Sequence, residues 1–398
     1  MSAPLTSEAP RLDGKEKIWT RDFTLICLSN FFIFLGFQMT LPTIPLFVEK
    51  LGGNDQLIGV VVGIFTFSAL LLRPFAGHAL ESMGRRFVYL TGLIIFVISV
   101  GSFGFATSLF FLFAMRIVQG VGWGFSTTAS GTIATDLIPP KRRGEGMGYY
   151  GLFGNVALAV GPTLGLALVG YITFTQLFMI CASLGLIALL LSSKINLQKA
   201  VKPSTNSASK KWDLYEKTAL PPSILLFFIT VTFGGIASFL PLYATQQGIP
   251  GIQWYFFLFA ISIMLSRTFA GRIYDQKGHR AIFPLGTFFI MIAMFLLAWL
   301  PNSTILYVAA IFYGLGFGSV QPALQAWSVQ TAPMNRKGMA NATFFSFFDL
   351  GVGIGAITFG QIAYWFGYST IYIASAVSVF IAILLYYTWL GKNEGEGA

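Results

Sequence analysis

The chain alternates between long, almost unbroken apolar runs and short polar punctuation. Twelve runs stand out, near residues 22–48, 56–82, 86–106, 108–134, 144–169, 171–192, 220–246, 252–274, 281–300, 303–330, 338–365 and 367–390. Each approaches or exceeds the stretch of about 20 apolar residues that crosses a bilayer as an α-helix. None alternates with a period of two, as the strands of a membrane barrel do. A single chain segment in hydrocarbon has to satisfy its own backbone, and only a helix does so. The pattern therefore predicts an all-α membrane protein of twelve transmembrane helices. The first run, Phe23 to Val48, is too long for the apolar core of a cleaved signal peptide and lacks a small-residue cleavage site. It reads as a retained helix.

The pattern also repeats. Leu71 to Arg86 reads LLRPFAGHALESMGRR, and Leu265 to Arg280 reads LSRTFAGRIYDQKGHR. The shift is 194 positions, and it carries Arg73 onto Arg267, Gly77 onto Gly271, Gly84 onto Gly278 and Arg86 onto Arg280. The same shift carries Gly120, Gly122 and Gly124 onto Gly314, Gly316 and Gly318, and Arg142 and Gly144 onto Arg336 and Gly338. A constant register over so long a stretch marks a duplicated bundle. The expected organisation is a tail (1–21), a six-helix half (22–192), a linker (193–219), a second six-helix half (220–390) and a short tail (391–398). The linker holds six lysines and a Ser/Thr/Asn-rich piece, Pro203 to Ser209.

Charge then fixes an expected orientation. Of 25 Lys and Arg, 21 fall in the tails, the linker and the loops of one side, and only Lys50 falls on the other. Arg73, Arg116 and Arg267 lie inside spans. The positive-inside rule then places both termini and the linker in the cytoplasm of a cell-membrane protein. Composition agrees with a lipid environment: 55% hydrophobic, 10% charged, against roughly 25% charged in soluble domains. The net charge of +10 is spread over these loops, so nucleic acid is not an expected partner. Cys27 and Cys181 sit in apolar runs and read as inert thiols, with no metal spacing in the chain.

Several motifs carry a family resemblance. Gly77, Glu81, Gly84, Arg85 and Arg86, with the second copy Gly271, Asp275, Gly278 and Arg280, resemble the G-x-x-x-D-x-x-G-R-R loop of the major facilitator superfamily. Helix count, linker and repeat extend the resemblance over essentially the whole chain. It implies that these residues latch the cytoplasmic face and part when two halves rock; Glu81 departs from the pattern by replacing Asp. Positive-inside anchoring alone is the other reading. Arg116, Gly120 and Gly122 resemble the R-x-x-x-G-x-G pattern on helix 4 of proton-driven members. An arginine inside a span costs about 2.5–3.5 kcal/mol, so it should face the interior, either as a coupling charge or as a hydrogen-bonded structural group. Gly161, Pro162 and Gly165 resemble the helix 5 motif of antiporters, with Leu166 in place of the last glycine, and predict a bend, functional or generic. Pro42 and Pro45 on helix 1 resemble a feature of twelve-helix drug/proton antiporters.

Asp349 is the one acid among fifteen that lies deep inside a span. Its counterpart under the shift is Asn155. A carboxyl there can carry a proton, bind a cationic substrate or pair with an arginine. Asn30, Gln38, Gln119 and Asn155 are polar candidates for a cavity in the first half. Gln246, Gln321, Gln325 and Trp327 are those of the second.

The resulting expectation is a monomeric secondary transporter, with no cofactor beyond the proton gradient, that exports small hydrophobic or cationic compounds. The alternatives are export of a polar metabolite or metallophore, uptake of a sugar or organic acid, and a lipid flippase or receptor on the same fold. No nucleophile–base, metal or phosphate-loop constellation points to an enzyme.

Overall fold

The computed structural model describes residues 17–139, 142–196, 215–333 and 336–395. A few side chains within helices, those of Glu81 and Asp275 and the surroundings of Gly271 among them, lie outside the described residues. So do most of the expected linker, most of the first tail and residues 396–398 of the second.

The described residues form twelve α-helices. They are α1 (Arg21–Lys50), α2 (Asp55–Ser82), α3 (Arg85–Phe103), α4 (Leu109–Leu137), α5 (Arg143–Val169) and α6 (Phe174–Ser193). A 3-10 turn at Lys217–Ala219 then leads into α7 (Leu220–Gln246), α8 (Ile252–Lys277), α9 (His279–Ala298), α10 (Ser303–Thr331), α11 (Lys337–Phe366) and α12 (Tyr368–Gly395). Eleven are long and apolar enough to cross a membrane; the described apolar part of α8 is the shorter Ile252–Arg267.

Local chemistry sets the helix starts. Thr20, Asn54, Ser108, Thr173 and Asn302 each accept a hydrogen bond from a first-turn amide of the helix they precede. At Thr173 the partner Gln176 reaches back to complete a capping box. Gly84 and Gly278 turn the chain between α2 and α3 and between α8 and α9. Both hold positive φ, +91° and +66°, which a side chain would strain.

The sequence repeat is a packing repeat. In the first half α1 packs on α5 and α6, α2 on α4, and α3 on α4 and α6. In the second, α7 packs on α11 and α12, α8 on α10, and α9 on α10 and α12. A Cβ on Gly122 would stand 2.7 Å from the Phe96 nitrogen, and one on Gly316 would stand 3.0 Å from the nitrogen of Ile290, its counterpart. These glycines let α4 lie on α3, and α10 on α9, at backbone contact. The halves meet along α2–α11, α5–α8 and α1–α7. One end of the bundle carries the chain segments that flank the linker. At the other end, Phe110, Tyr171, Trp299, Trp365 and Phe366 are all more than two-thirds exposed. That aromatic girdle fits a lipid–water boundary.

A central cavity with one open end

Between the halves lies a cavity of about 2030 Å³. Its lining runs down to the linker end, where Gly77 and His78 of α2, Met147 of α5, Tyr274 of α8 and Arg336 and Met339 of α11 border it. The far end is sealed by α2 against α11. A Cβ on Gly59 would overlap the Ala356 carbonyl, and one on Gly360 would stand 2.6 Å from the Asp55 carbonyl. Gln56 donates to Gln361 across the seal at 2.7 Å, and the Tyr368 hydroxyl donates to Asp55 at 2.6 Å. The molecule therefore stands open toward the linker end.

The walls combine aromatic rings with few charges. Phe37 stacks on Trp123 with centroids 4.1 Å apart, and Phe233 stacks on Phe317 at 5.6 Å; all four rings line the cavity. The charged core of the wall is Arg73 with Asp349. The Arg73 guanidinium donates to the Asp349 carboxylate at 2.7 Å. Arg73 stands on α2 and Asp349 on α11, so this bond ties one half to the other. The side chains are 26% and 21% exposed, and both border the cavity. Of the three expected roles of Asp349, the geometry displays the arginine pair.

Other polar candidates divide by position. Asn30, Gln38, Asn155, Gln321 and Gln325 line the cavity. Asn30 accepts from Tyr150, whose oxygen also lies 2.8 Å from that of Ser130. Gln321 donates to Gln325, which donates in turn to Asn341 at 2.8 Å. Three expectations are corrected. Gln119 is fully buried within the first half and accepts from Arg116 at 2.6 Å. Gln246 is exposed at the last turn of α7, at the sealed end. Trp327 lies behind the wall and stacks on His279 with centroids 4.1 Å apart, while His279 Nδ1 sits 3.0 Å from the Tyr386 hydroxyl.

Arg116 is interior, as its position demands, but it does not line the cavity. Its Nε donates to the Val61 carbonyl at 3.2 Å, and its guanidinium lies over the Phe65 ring at 4.4 Å. Among the described residues no carboxylate pairs with it.

The arginines of the first loop motif bond within their own half in this state. Arg85 pairs with Asp136 of α4 at 2.7 Å, and Arg86 donates to the Ser193 carbonyl at the end of α6 at 2.7 Å. A Cβ on Gly77 would meet nothing within 4 Å, because α2 borders the open mouth at this level. Arg280 is exposed at the start of α9. On α5, a Cβ on Gly161 would stand 2.5 Å from Cβ of Gln38, and one on Gly165 2.5 Å from the Met39 carbonyl. The motif thus seats α5 on α1, and the helix runs through Pro162 without interruption.

Some wall residues escaped the sequence reading. Arg73 and Arg267 were visible as intramembrane charges, but nothing along the chain paired Arg73 with a residue 276 positions away. Tyr150, Thr66 and Thr127 also line the cavity. Hydroxyls inside spans are too common to single out.

The sequence profile of the Major Facilitator Superfamily matches residues 26–342 and, in a second match, 249–397. The chain belongs to this superfamily. Its members are membrane transporters of small molecules and not enzymes. An MFS-type transporter of Methanocaldococcus jannaschii is 25% identical over 91% of this chain and 96% of its own. The staphylopine export protein of Staphylococcus aureus is 24% identical over 86% of this chain and 89% of its own. The multidrug resistance efflux pump PmrA of Streptococcus pneumoniae is 23% identical, covering 92% and 95%. Among solved structures, the nucleoside transporter NupG superposes with a TM-score of 0.72 at 15% identity, covering 92% of this chain and 99% of that one. An inward-facing bacterial homologue of the lysosomal transporter Spinster gives 0.76 at 17% identity, covering 92% and 95%.

Proposed function

We propose that this superfamily member is a proton-coupled exporter that loads a small amphipathic compound from the linker side and releases it at the far side. The observation that carries the reading is the Arg73–Asp349 bond between the halves, in the wall of the cavity. A proton taken up by Asp349 removes its charge and leaves Arg73 without its ionic partner. The strongest polar tie between α2 and α11 at that level is then lost, and the halves are free to rock. Loss of the proton restores the tie. Substrate and proton thus act on one two-state element, which is the physical requirement for coupling. Resemblance to exporters on helix 5 and likeness to two proteins named for export or efflux support the direction. The carboxylate already has a cationic partner, so its role in this reading is coupling. The orientation is that of a cell-membrane protein with cytoplasmic termini, acting as a monomer.

The test is proton movement in everted vesicles energised acid inside, with a fluorescent reporter of the gradient and a panel of apolar cations, anions and neutral compounds. The expected outcome is that some compound collapses the gradient with wild-type protein and not with Asp349→Asn. A collapse equal in both proteins would reject Asp349 as the coupling group. No collapse with any compound, from folded protein that binds one, would reject proton coupling.

A further inference from the structure

The 194-position shift that relates the halves also relates their seams. Arg73 on α2 faces α11 and pairs with Asp349. The shift carries Arg73 onto Arg267 of α8, and Asp349 back onto Asn155 of α5. Just as α2 packs on α11, α8 packs on α5. Arg267 and Asn155 both line the cavity, as their counterparts do. The two seams therefore carry corresponding residues and differ in charge: one holds an arginine and a carboxylate, the other an arginine and an amide.

Arg267 consequently lacks what Arg73 has. Its Nε, like that of Arg73, makes no hydrogen bond, but among the described residues no carboxylate pairs with it. The remaining arginine of the wall, Arg336, is already bound to Glu216 and to the Tyr215 carbonyl. With Arg73 answered by Asp349, the described wall keeps one cation in surplus, at Arg267. An arginine held inside a membrane bundle without a partner is costly, and a bidentate anion is the partner its planar fork fits best. Aromatic walls from both halves offer an apolar body its place beside that charge.

We propose that Arg267, with the Asn155 amide, is the docking point for the anionic head of the transported compound, so that the substrate class is a small organic anion with an apolar body. The proposal rests on the reading of this cavity as the transport site. It puts an anion in place of the hydrophobic or cationic compound that the sequence leads one to expect.

Equilibrium binding to the purified full chain tests it without any gradient. The probes are 1-naphthoate, 1-naphthylmethanol and 1-naphthylmethylammonium, which share a ring system and differ in charge, measured by titration calorimetry. The carboxylate should bind more tightly than the other two. Arg267→Gln should weaken naphthoate at least about tenfold, and Arg267→Lys should weaken it less. Asn155→Asp keeps Arg267 but supplies the missing carboxylate, and it should abolish naphthoate binding; thermal melts confirm that each variant is folded. The proposal is overturned if the ammonium binds as tightly as the carboxylate, if Asn155→Asp leaves naphthoate affinity unchanged, or if folded wild type shows no saturable naphthoate binding. Asp349-dependent proton flux with other compounds would then still uphold export, whereas naphthoate binding without any flux would uphold the anion site and reject coupling.

Discussion

Asp349 and Arg116 are both charges that a bilayer tolerates poorly, and they are accommodated in opposite ways. Asp349 meets its arginine at the cavity wall, where both side chains stay partly exposed. A charge swap, Arg73→Asp with Asp349→Arg, should recover stability that each single change loses. The double-mutant cycle should yield a coupling of about 0.5–3 kcal/mol, read from thermal or chemical unfolding. A coupling near zero would mean that the pair adds nothing to the state open at the linker end. Arg116, by contrast, is sealed away from the cavity, its needs met by the Val61 carbonyl, Gln119 and the Phe65 ring. Replacing it with Met strands the Gln119 oxygen. Arg116→Met should cost about 1–3 kcal/mol of stability and leave the ranking of transported compounds unchanged. Lost coupling at unchanged stability would show a functional charge instead.

Between residues and the whole, the elements meet through small side chains and a few tethers. Gly161 and Gly165 bring α5 to the backbone of α1, and Gly59 and Gly360 bring α2 to α11 at the sealed end. One tether lies outside the membrane. Glu216, just before the 3-10 turn, accepts from the Thr218 amide and hydroxyl and binds Arg336, while its own amide donates to Thr343 of α11 at 2.9 Å. The Thr218 bonds and the Arg336 charge hold the Glu216 carboxyl below its usual pKa. A carboxyl depressed on folding adds stability above its unfolded value of about 4.3 and loses it as pH falls through the lower folded value. Acidification below about pH 4.3 should therefore lower the melting temperature, and Glu216→Gln should flatten that part of the profile. An identical acid profile in the variant would assign the loss to other groups.

On the scale of the molecule, two six-helix halves share one architecture and meet around the central cavity. The sealed end depends on contacts that can be made covalent. Gln56 and Gln361 touch across the α2–α11 seam, and Cys27 and Cys181 are buried, so cysteines introduced at the seam stand apart from the native ones. Gln56→Cys with Gln361→Cys, oxidised, should stop transport while leaving ligand binding from the linker side intact. Reduction should restore transport. Continued transport with the bond formed would mean that the far end need not part.

The sequence by itself determined which segments are helices, how many there are and that they come in two related sets. Hydrocarbon enforces this: a segment in lipid has to satisfy its own backbone, so the apolar runs and their polar breaks read out the elements almost directly. The run at 220–246 is α7, residue for residue. Gly84 and Gly278 were legible for a similar reason, since each acts through its own backbone. Only the tertiary structure decided which face of each helix meets the cavity. The body of α5 is apolar nearly all round, so no stripe reveals its rotation. Gln119 and Asn155 look alike along the chain, yet one is packed inside a half and the other borders the cavity. The partner of Asp349, too, is a fact of assembly. Arg73 and Arg267 are equivalent in sequence, and they differ because α11 brings a carboxylate to one seam where α5 brings an amide to the other.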